Sequence, residues 1–198
     1  MKKFKITFAL LAFIFFAISC SKSDDSPTPE LLAKDVYTCG YESNGTKNVA
    51  KVWKNGIATF LSDITKNASA NAVIASGTDV YVTGYEDNGI NNVAKYWKNG
   101  IATSLTDGSK NAEGNAMFIS GTDVYIAGYE YNSTKSVAKI WKNGTPFSLS
   151  DGTKDVYANG IFVSGTDIYV SGYEYDSSKF IAKVWKNGSP TSLTMVLI

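Results

Sequence analysis

Histidine and arginine are both missing from this 198-residue chain, and each absence closes off a class of function. Without histidine, no side chain changes charge near neutrality unless its surroundings force it, which removes most general acid–base and nucleophile-activating chemistry. Without arginine, all 19 basic residues are lysines, so the planar fork that reads phosphate, carboxylate and guanine edges is not available. The formal net charge is only +1, and nothing draws such a chain toward nucleic acid. Cysteine is scarce as well: Cys20 and Cys39 are the two in the chain, too few for a disulfide framework. Phosphate-binding glycine loops, nucleophile elbows and clustered metal-ligand motifs are also missing, so the sequence implies no cofactor and no metal. What is present is 44% hydrophobic, 13% aromatic and 19% charged residues, the composition of a folded chain rather than of collagen or a disordered tail.

The first twenty residues carry an address. Met1 to Lys5 holds three lysines, Ile6 to Phe16 is apolar except for Thr7, and Ala17-Ile18-Ser19-Cys20 follows. A charged start, a short apolar stretch and small residues before a cleavage point make a secretory signal peptide. The stretch is too short for a comfortable membrane span, and no later run reaches the ~18 apolar residues that a span needs. The ending resembles a bacterial lipobox, with Ala17 standing where leucine is commonest. The resemblance implies that Cys20 is the lipid attachment point and first residue of the mature protein, anchored in a membrane by several acyl chains. Ser21 to Pro29 is polar, charged and proline-bearing, which suits a flexible tether. Its Lys22-Ser23-Asp24-Asp25 order resembles the acidic export signals of some Gram-negative lipoproteins, so the implied location is the outer membrane, pointing to the cell surface.

The rest of the chain is a repeat. Trp53-Lys54-Asn55-Gly56 returns at Trp97, Trp141 and Trp185 at a constant interval of 44 residues, and these are all four tryptophans. The same interval carries Gly40-Tyr41-Glu42 onto Gly84, Gly128 and Gly172, and Ser76-Gly77-Thr78-Asp79 onto residues 120–123 and 164–167, with no insertion or deletion. Periods of ~20 to 50 residues mark solenoids, propellers and arrays. Within a unit, Asn115 to Ile119, Val124 to Glu130, Val137 to Trp141 and Thr145 to Leu149 read as strands, separated by Gly-Thr-Asp, Asn-Gly and Asp-Gly turns. No helical period stands out beyond the signal segment, so the fold class is all-β.

At this point the units resemble bacterial β-propeller repeats. The resemblance rests on Val80-Tyr81-Val82-Thr83-Gly84-Tyr85 and on Val93-Ala94-Lys95-Tyr96-Trp97-Lys98-Asn99-Gly100, and covers about residues 36–194. It implies a propeller-like array of about four four-stranded repeats, small, incomplete or open. The domain order is a signal peptide at 1–19, the lipidated Cys20 and tether at 20–35, and a repeat domain at 36–198 with units 36–79, 80–123, 124–167 and 168–198. The segment one period before Asn71 to Asp79 keeps only its last Asp, so the first blade has a degenerate inner strand or lacks one. An open array bares strand edges, which makes an oligomer an expectation.

The candidate ligand-binding residues are Trp53, Trp97, Trp141 and Trp185, each beside a hairpin turn where a half-buried ring could meet a glycan or protein partner. Tyr37, Tyr81, Tyr125 and Tyr169 share a strand face with Tyr41, Tyr85, Tyr129 and Tyr173, where they either fill the space between blades or form a multivalent glycan-binding ring. Glu42, Glu86, Glu130 and Glu174 stand opposite Lys51, Lys95, Lys139 and Lys183, placed to pair across a hairpin. Cys39 occupies a slot otherwise held by Thr83, Ala127 and Ser171, a small strand residue. These features favour a non-enzymatic binding or scaffolding lipoprotein, because fourfold repetition marks architecture. Two alternatives stand beside it: an enzyme using the loop carboxylates Asp87, Asp155 and Asp176, which break the repeat, or a truncated array without retained function.

Overall fold

The computed structural model describes residues 35–193. The segment expected to be a signal peptide (1–19), the expected lipidated Cys20 with all but the last residue of its expected tether (20–35), and residues 194–198 lie outside the described residues. Within them the chain is all-β: fifteen strands and no helix. The first sheet has three antiparallel strands, β1 (Tyr37–Ser43), β2 (Asn48–Lys54) and β3 (Ile57–Phe60). A four-stranded sheet follows, β4 (Ala68–Ser76), β5 (Asp79–Asp87), β6 (Asn92–Lys98) and β7 (Ile101–Ser104). The third sheet is β8 (Ala112–Ser120), β9 (Asp123–Tyr131), β10 (Ser136–Lys142) and β11 (Thr145–Ser148). The fourth is β12 (Asp155–Ser164), β13 (Asp167–Tyr175), β14 (Phe180–Lys186) and β15 (Ser189–Ser192). Each sheet is a plain meander, and the succession is consistent with a propeller-like array.

Sheets and sequence units are offset by one strand. A four-stranded sheet takes its first strand from the end of one unit and three from the next, so the first unit supplies β1 to β3 to its own sheet and β4 to the following one. The first sheet accordingly has no inner strand among the described residues, in keeping with the degenerate segment ahead of Val36.

Two motifs recur together because they touch. In the Asn-Gly turn, Asn55 (φ 51°) and Gly56 (φ 82°) are both left-handed, the turn whose twist matches antiparallel strands. The Asn55 carboxamide then reaches back to the preceding turn: Val36 N–H donates to Oδ1 at 2.8 Å and Nδ2 donates to Asp35 at 2.9 Å. Asn99, Asn143 and Asn187 repeat both bonds with Val80 and Asp79, Val124 and Asp123, and Ile168 and Asp167. Each of these aspartates also pairs with the lysine before the turn, at 2.7 or 2.8 Å.

The inner strands start earlier than the sequence suggests, at Ala112 rather than Asn115, because each runs through a β-bulge at its asparagine. The bulge turns the carboxamide outward along the array. Asn71 Nδ2 donates to Gly114 O and Asn115 Nδ2 donates to Ala158 O, both at 3.0 Å, one link between neighbouring inner strands at each step. It also crowds the facing glycine: a Cβ on Gly128 would lie 1.9 Å from Glu113 O, so only glycine fits there.

Each sheet has two unlike faces. One carries the tryptophan with Val82, Ile126 or Val170 beside it across the ladder. The other carries the alanine of the Ala-Lys motif with the tyrosines. Consecutive sheets meet tryptophan face to alanine face. Trp97 packs with Ala50 and Leu61 of the first sheet, Trp141 with Ala94 and Leu105 of the second, and Trp185 with Ala138 and Leu149 of the third. The three inner indoles are at most 1% exposed, whereas Trp53, with no sheet before it among the described residues, is half-buried. Among the described residues, sheet-to-sheet interfaces run only between consecutive sheets, and the array is open.

Replacing a sealed indole leaves a cavity, whereas trimming a half-exposed one leaves little. Trp141→Ala is therefore expected to cost about 3–5 kcal/mol and Trp53→Ala less than half of that; comparing their urea-unfolding midpoints checks the ordering.

Candidate ligand-binding rim

Three of the four tryptophans are not where a ligand could reach them. Trp97, Trp141 and Trp185 lie inside the three junctions, and Trp185 spends its indole N–H on Leu149 O at 3.0 Å. The N–H groups of Trp97 and Trp141 are buried without an acceptor. The surface role considered for these three is thereby corrected: the alanine face of the preceding sheet covers the rings, and burying so large an aromatic is the strongest apolar contribution each unit makes. Trp53 alone keeps partial access to solvent.

The glutamates are equally committed. All four pair diagonally across their hairpin, Glu42 with Lys51, Glu86 with Lys95, Glu130 with Lys139 and Glu174 with Lys183. Two take a second lysine from the preceding loop, Lys66 at Glu86 (3.5 Å) and Lys154 at Glu174 (2.6 Å). At Glu86, burial pushes the carboxyl upward, but hydrogen bonds from Lys95 and the Asp63 amide, with the two lysine charges, outweigh it and the net displacement is downward. At Glu174, hydrogen bonds from Lys154 and Lys183 hold the carboxyl below its ordinary range against desolvation.

The three carboxylates that break the repeat serve their own backbone. Asp176 accepts from Ser178 and Lys179 within its turn, and these bonds lower its pKa. Asp155 accepts from the Ser136 amide and from Lys135, each at 2.9 Å, and is displaced downward although burial alone raises it. Asp87 accepts from the Gly89 amide. Asp63, Asp107 and Asp151 cap the turns that follow them in the same way. Among the described residues, no three Cys, Asp or Glu side chains are grouped to hold a metal ion. Cys39, half-buried, has its thiol pushed up by burial, as befits an inert strand residue.

The tyrosines divide. Tyr81 and Tyr125 are buried in the junctions, while Tyr85, Tyr129 and Tyr173 are half-buried at the loop-bearing rim and Tyr41 is 56% exposed. On that rim the aromatic rings form a continuous row. Tyr129 meets Tyr157 edge-on at 4.9 Å, Tyr157 stacks on Tyr173 at 5.0 Å, and Phe180 closes the row at 5.4 Å from Tyr173. Beside it lies a cleft of about 290 Å³ lined by Asn92, Asn111, Tyr129, Tyr131, Ser136 and Tyr157. Ser136 donates to the Tyr157 hydroxyl at 3.0 Å, and Asn92 Nδ2 donates to Glu113 at 2.9 Å. Burial, with Glu113 close by, pushes the Tyr129 and Tyr85 phenols upward, so both stay neutral hydrogen-bonding groups.

Most of these residues escape a reading by motif, because motifs are what the copies share. The rim is built from what they do not share: Ser43, Asp87, Tyr131 and Tyr175 occupy one slot, Asn48, Asn92, Ser136 and Phe180 another, and Ser69, Glu113 and Tyr157 a third. All three slots fall at the rim beside the constant tyrosine. Comparing the copies column by column is the signal that finds them.

No protein-family model matches this chain, and no curated protein matches it either.

Because the Glu86 and Glu174 carboxyls are displaced downward, their pairs stabilise the fold above the unfolded carboxyl pKa of ~4.3 and cease to do so as pH falls through the folded values. Denaturant midpoints are expected to be flat from about pH 7 to 5 and to drop below pH ~4, and Glu174→Gln should lower the neutral midpoint and flatten that acid limb.

Proposed function

We propose that the protein is a membrane-tethered, non-enzymatic binding module, an open propeller arc whose loop-bearing rim takes a glycan. The observation that carries this reading is the rim itself: positions that vary between copies collect around constant tyrosines, while the rest of the unit is held fixed by the junctions and turns. Half-exposed aromatic faces supply flat apolar contact for the C–H face of a sugar ring. The amides of Asn92 and Asn111 and the hydroxyls of Ser136, Tyr131 and Tyr157 supply donors and acceptors around it. Repetition adds avidity, since neighbouring sites on one rigid array engage successive sugars at high effective concentration. Tethering through Cys20 at the outer membrane would place the rim at the cell surface.

A glycan array probed with the full chain in mild detergent tests the ligand class. Binding should fall about tenfold for Tyr129→Ala or Tyr157→Ala, each removing ~1–1.5 kcal/mol of aromatic contact, with the β-sheet circular dichroism unchanged. Retention of no sugar, or of all sugars by both variants, would sink the reading. The tether is tested separately: Cys20→Ser should move the chain from the membrane fraction to the soluble one.

A further inference from the structure

We propose that the two end faces of the array are the two halves of one more junction, and that a second copy of this chain completes it head to tail. The tryptophan face of the first sheet in one copy would dock on the alanine face of the last sheet in the next.

The internal junctions show what the end faces are built for. Ala50, Ala94 and Ala138 are each 0% exposed because the following sheet lies on them, whereas Ala182, in the same slot of the last sheet, is exposed. Leu61, Leu105 and Leu149 are 7–8% exposed, and Leu193, the next in the series, is 55% exposed. At the other end Trp53 is the indole without a sheet to enter among the described residues. In the last internal junction Trp185 donates to Leu149 O, 36 residues earlier in the chain, a bond that Trp97 and Trp141 do not make, and the carbonyl one period after Leu149 is that of Leu193. Among the described residues, knob and socket are therefore both present, chemically matched and unfilled at opposite ends of the array.

The end faces also carry more apolar surface than the internal pattern requires. Terminal units of solenoid arrays normally turn a polar face to water. Here Phe60 replaces the serine found at 104, 148 and 192, lies on the tryptophan face across from Lys51, and is 58% exposed. On the alanine face of the last sheet, Phe180 replaces Asn48, Asn92 and Ser136 and is 71% exposed. Thr38, in the slot of Val82, Ile126 and Val170, is a concession to solvent that keeps the valine shape. The lysine on the docking face, Lys51, already holds Glu42, so closing the junction strands no unpaired charge. Because the faces are unlike, the contact is heterologous, and copies add in one direction until a ring closes or a filament grows.

Light scattering on the full chain in mild detergent, with two blocking variants, tests this directly. Trp53→Glu blocks the knob and leaves the socket; Ala182→Glu does the reverse. Both positions reach solvent, so neither should unfold the array, which circular dichroism verifies. Wild type is expected to give masses that rise with concentration up to about 100 μM. Each single variant should be monomeric alone, their equimolar mixture should stop at a one-to-one pair, and the double variant should stay monomeric. Phe60→Ser and Phe180→Ser, which restore the residue found in other units, should each weaken assembly severalfold. A monomeric wild type over this range overturns the proposal. So does association of Trp53→Glu alone, which means two alanine faces pairing symmetrically, or of the double variant, which means contact elsewhere. Trp53→Glu, at the opposite end of the array from the aromatic row, separates this proposal from the glycan reading: it should lose assembly and keep glycan binding, whereas Ala182 and Phe180 border Tyr173 of that row and are read by light scattering alone.

Discussion

One contact organises this molecule: the indole of each sheet after the first seated on the alanine of the sheet before it. A tryptophan needs a partner surface that is flat and free of side-chain bulk, and a methyl group on a β-strand provides it. Every other fixed residue of the unit supports that seating. The Asn-Gly turn ends the strand just past the ring, the paired aspartate and lysine hold that turn, and the leucine beyond the hairpin closes the side of the pocket. A small β unit cannot bury such a ring within itself, so the sheets are stable only as a stack.

The diagonal glutamate–lysine pairs and the asparagine links at the bulges have a second-order role. Partly exposed ion pairs contribute little individually, and their value here lies in being repeated and in drawing a second lysine from the preceding loop. They tie the rim of one sheet to the loop of another where the indoles do not reach. The rim can then vary its outermost residues, Asp87 against Tyr131 or Asn92 against Ser136, without disturbing the junction beneath. Division of labour between constant interior and variable edge is what a binding scaffold requires.

Much of the fold was legible in the sequence because its devices are local. Alternating β-branched and aromatic residues mark the strands, Asn-Gly marks the hairpin, and the 44-residue interval marks the array. What was not legible is what depends on contact between distant copies. The offset between unit and sheet is invisible in a repeat, since any starting point looks equivalent. The β-bulge at Asn71, Asn115 and Asn159 leaves no compositional trace, so the inner strands read three residues short. The tryptophans looked like edge residues because each stands beside a turn; only the neighbouring sheet decides that they are interior. The rim proposed to bind was hidden for the opposite reason, since attention to shared motifs passes over positions defined by difference.

The asparagine at each bulge has an implication for how such a chain can change over generations. Its carboxamide reaches a carbonyl 43 residues onward, as Asn71 does to Gly114 and Asn115 to Ala158, so the spacing between copies is measured by a hydrogen bond that tolerates no drift. A single inserted or deleted residue in a strand changes the spacing of the link that spans it and turns the following side chains of that strand to the wrong face. Duplication or excision of one complete period, in contrast, leaves every junction, turn and link intact. The architecture is thus brittle to small edits of length and indifferent to large ones made in whole units, which accounts for copies that differ by substitution while sharing one unbroken interval.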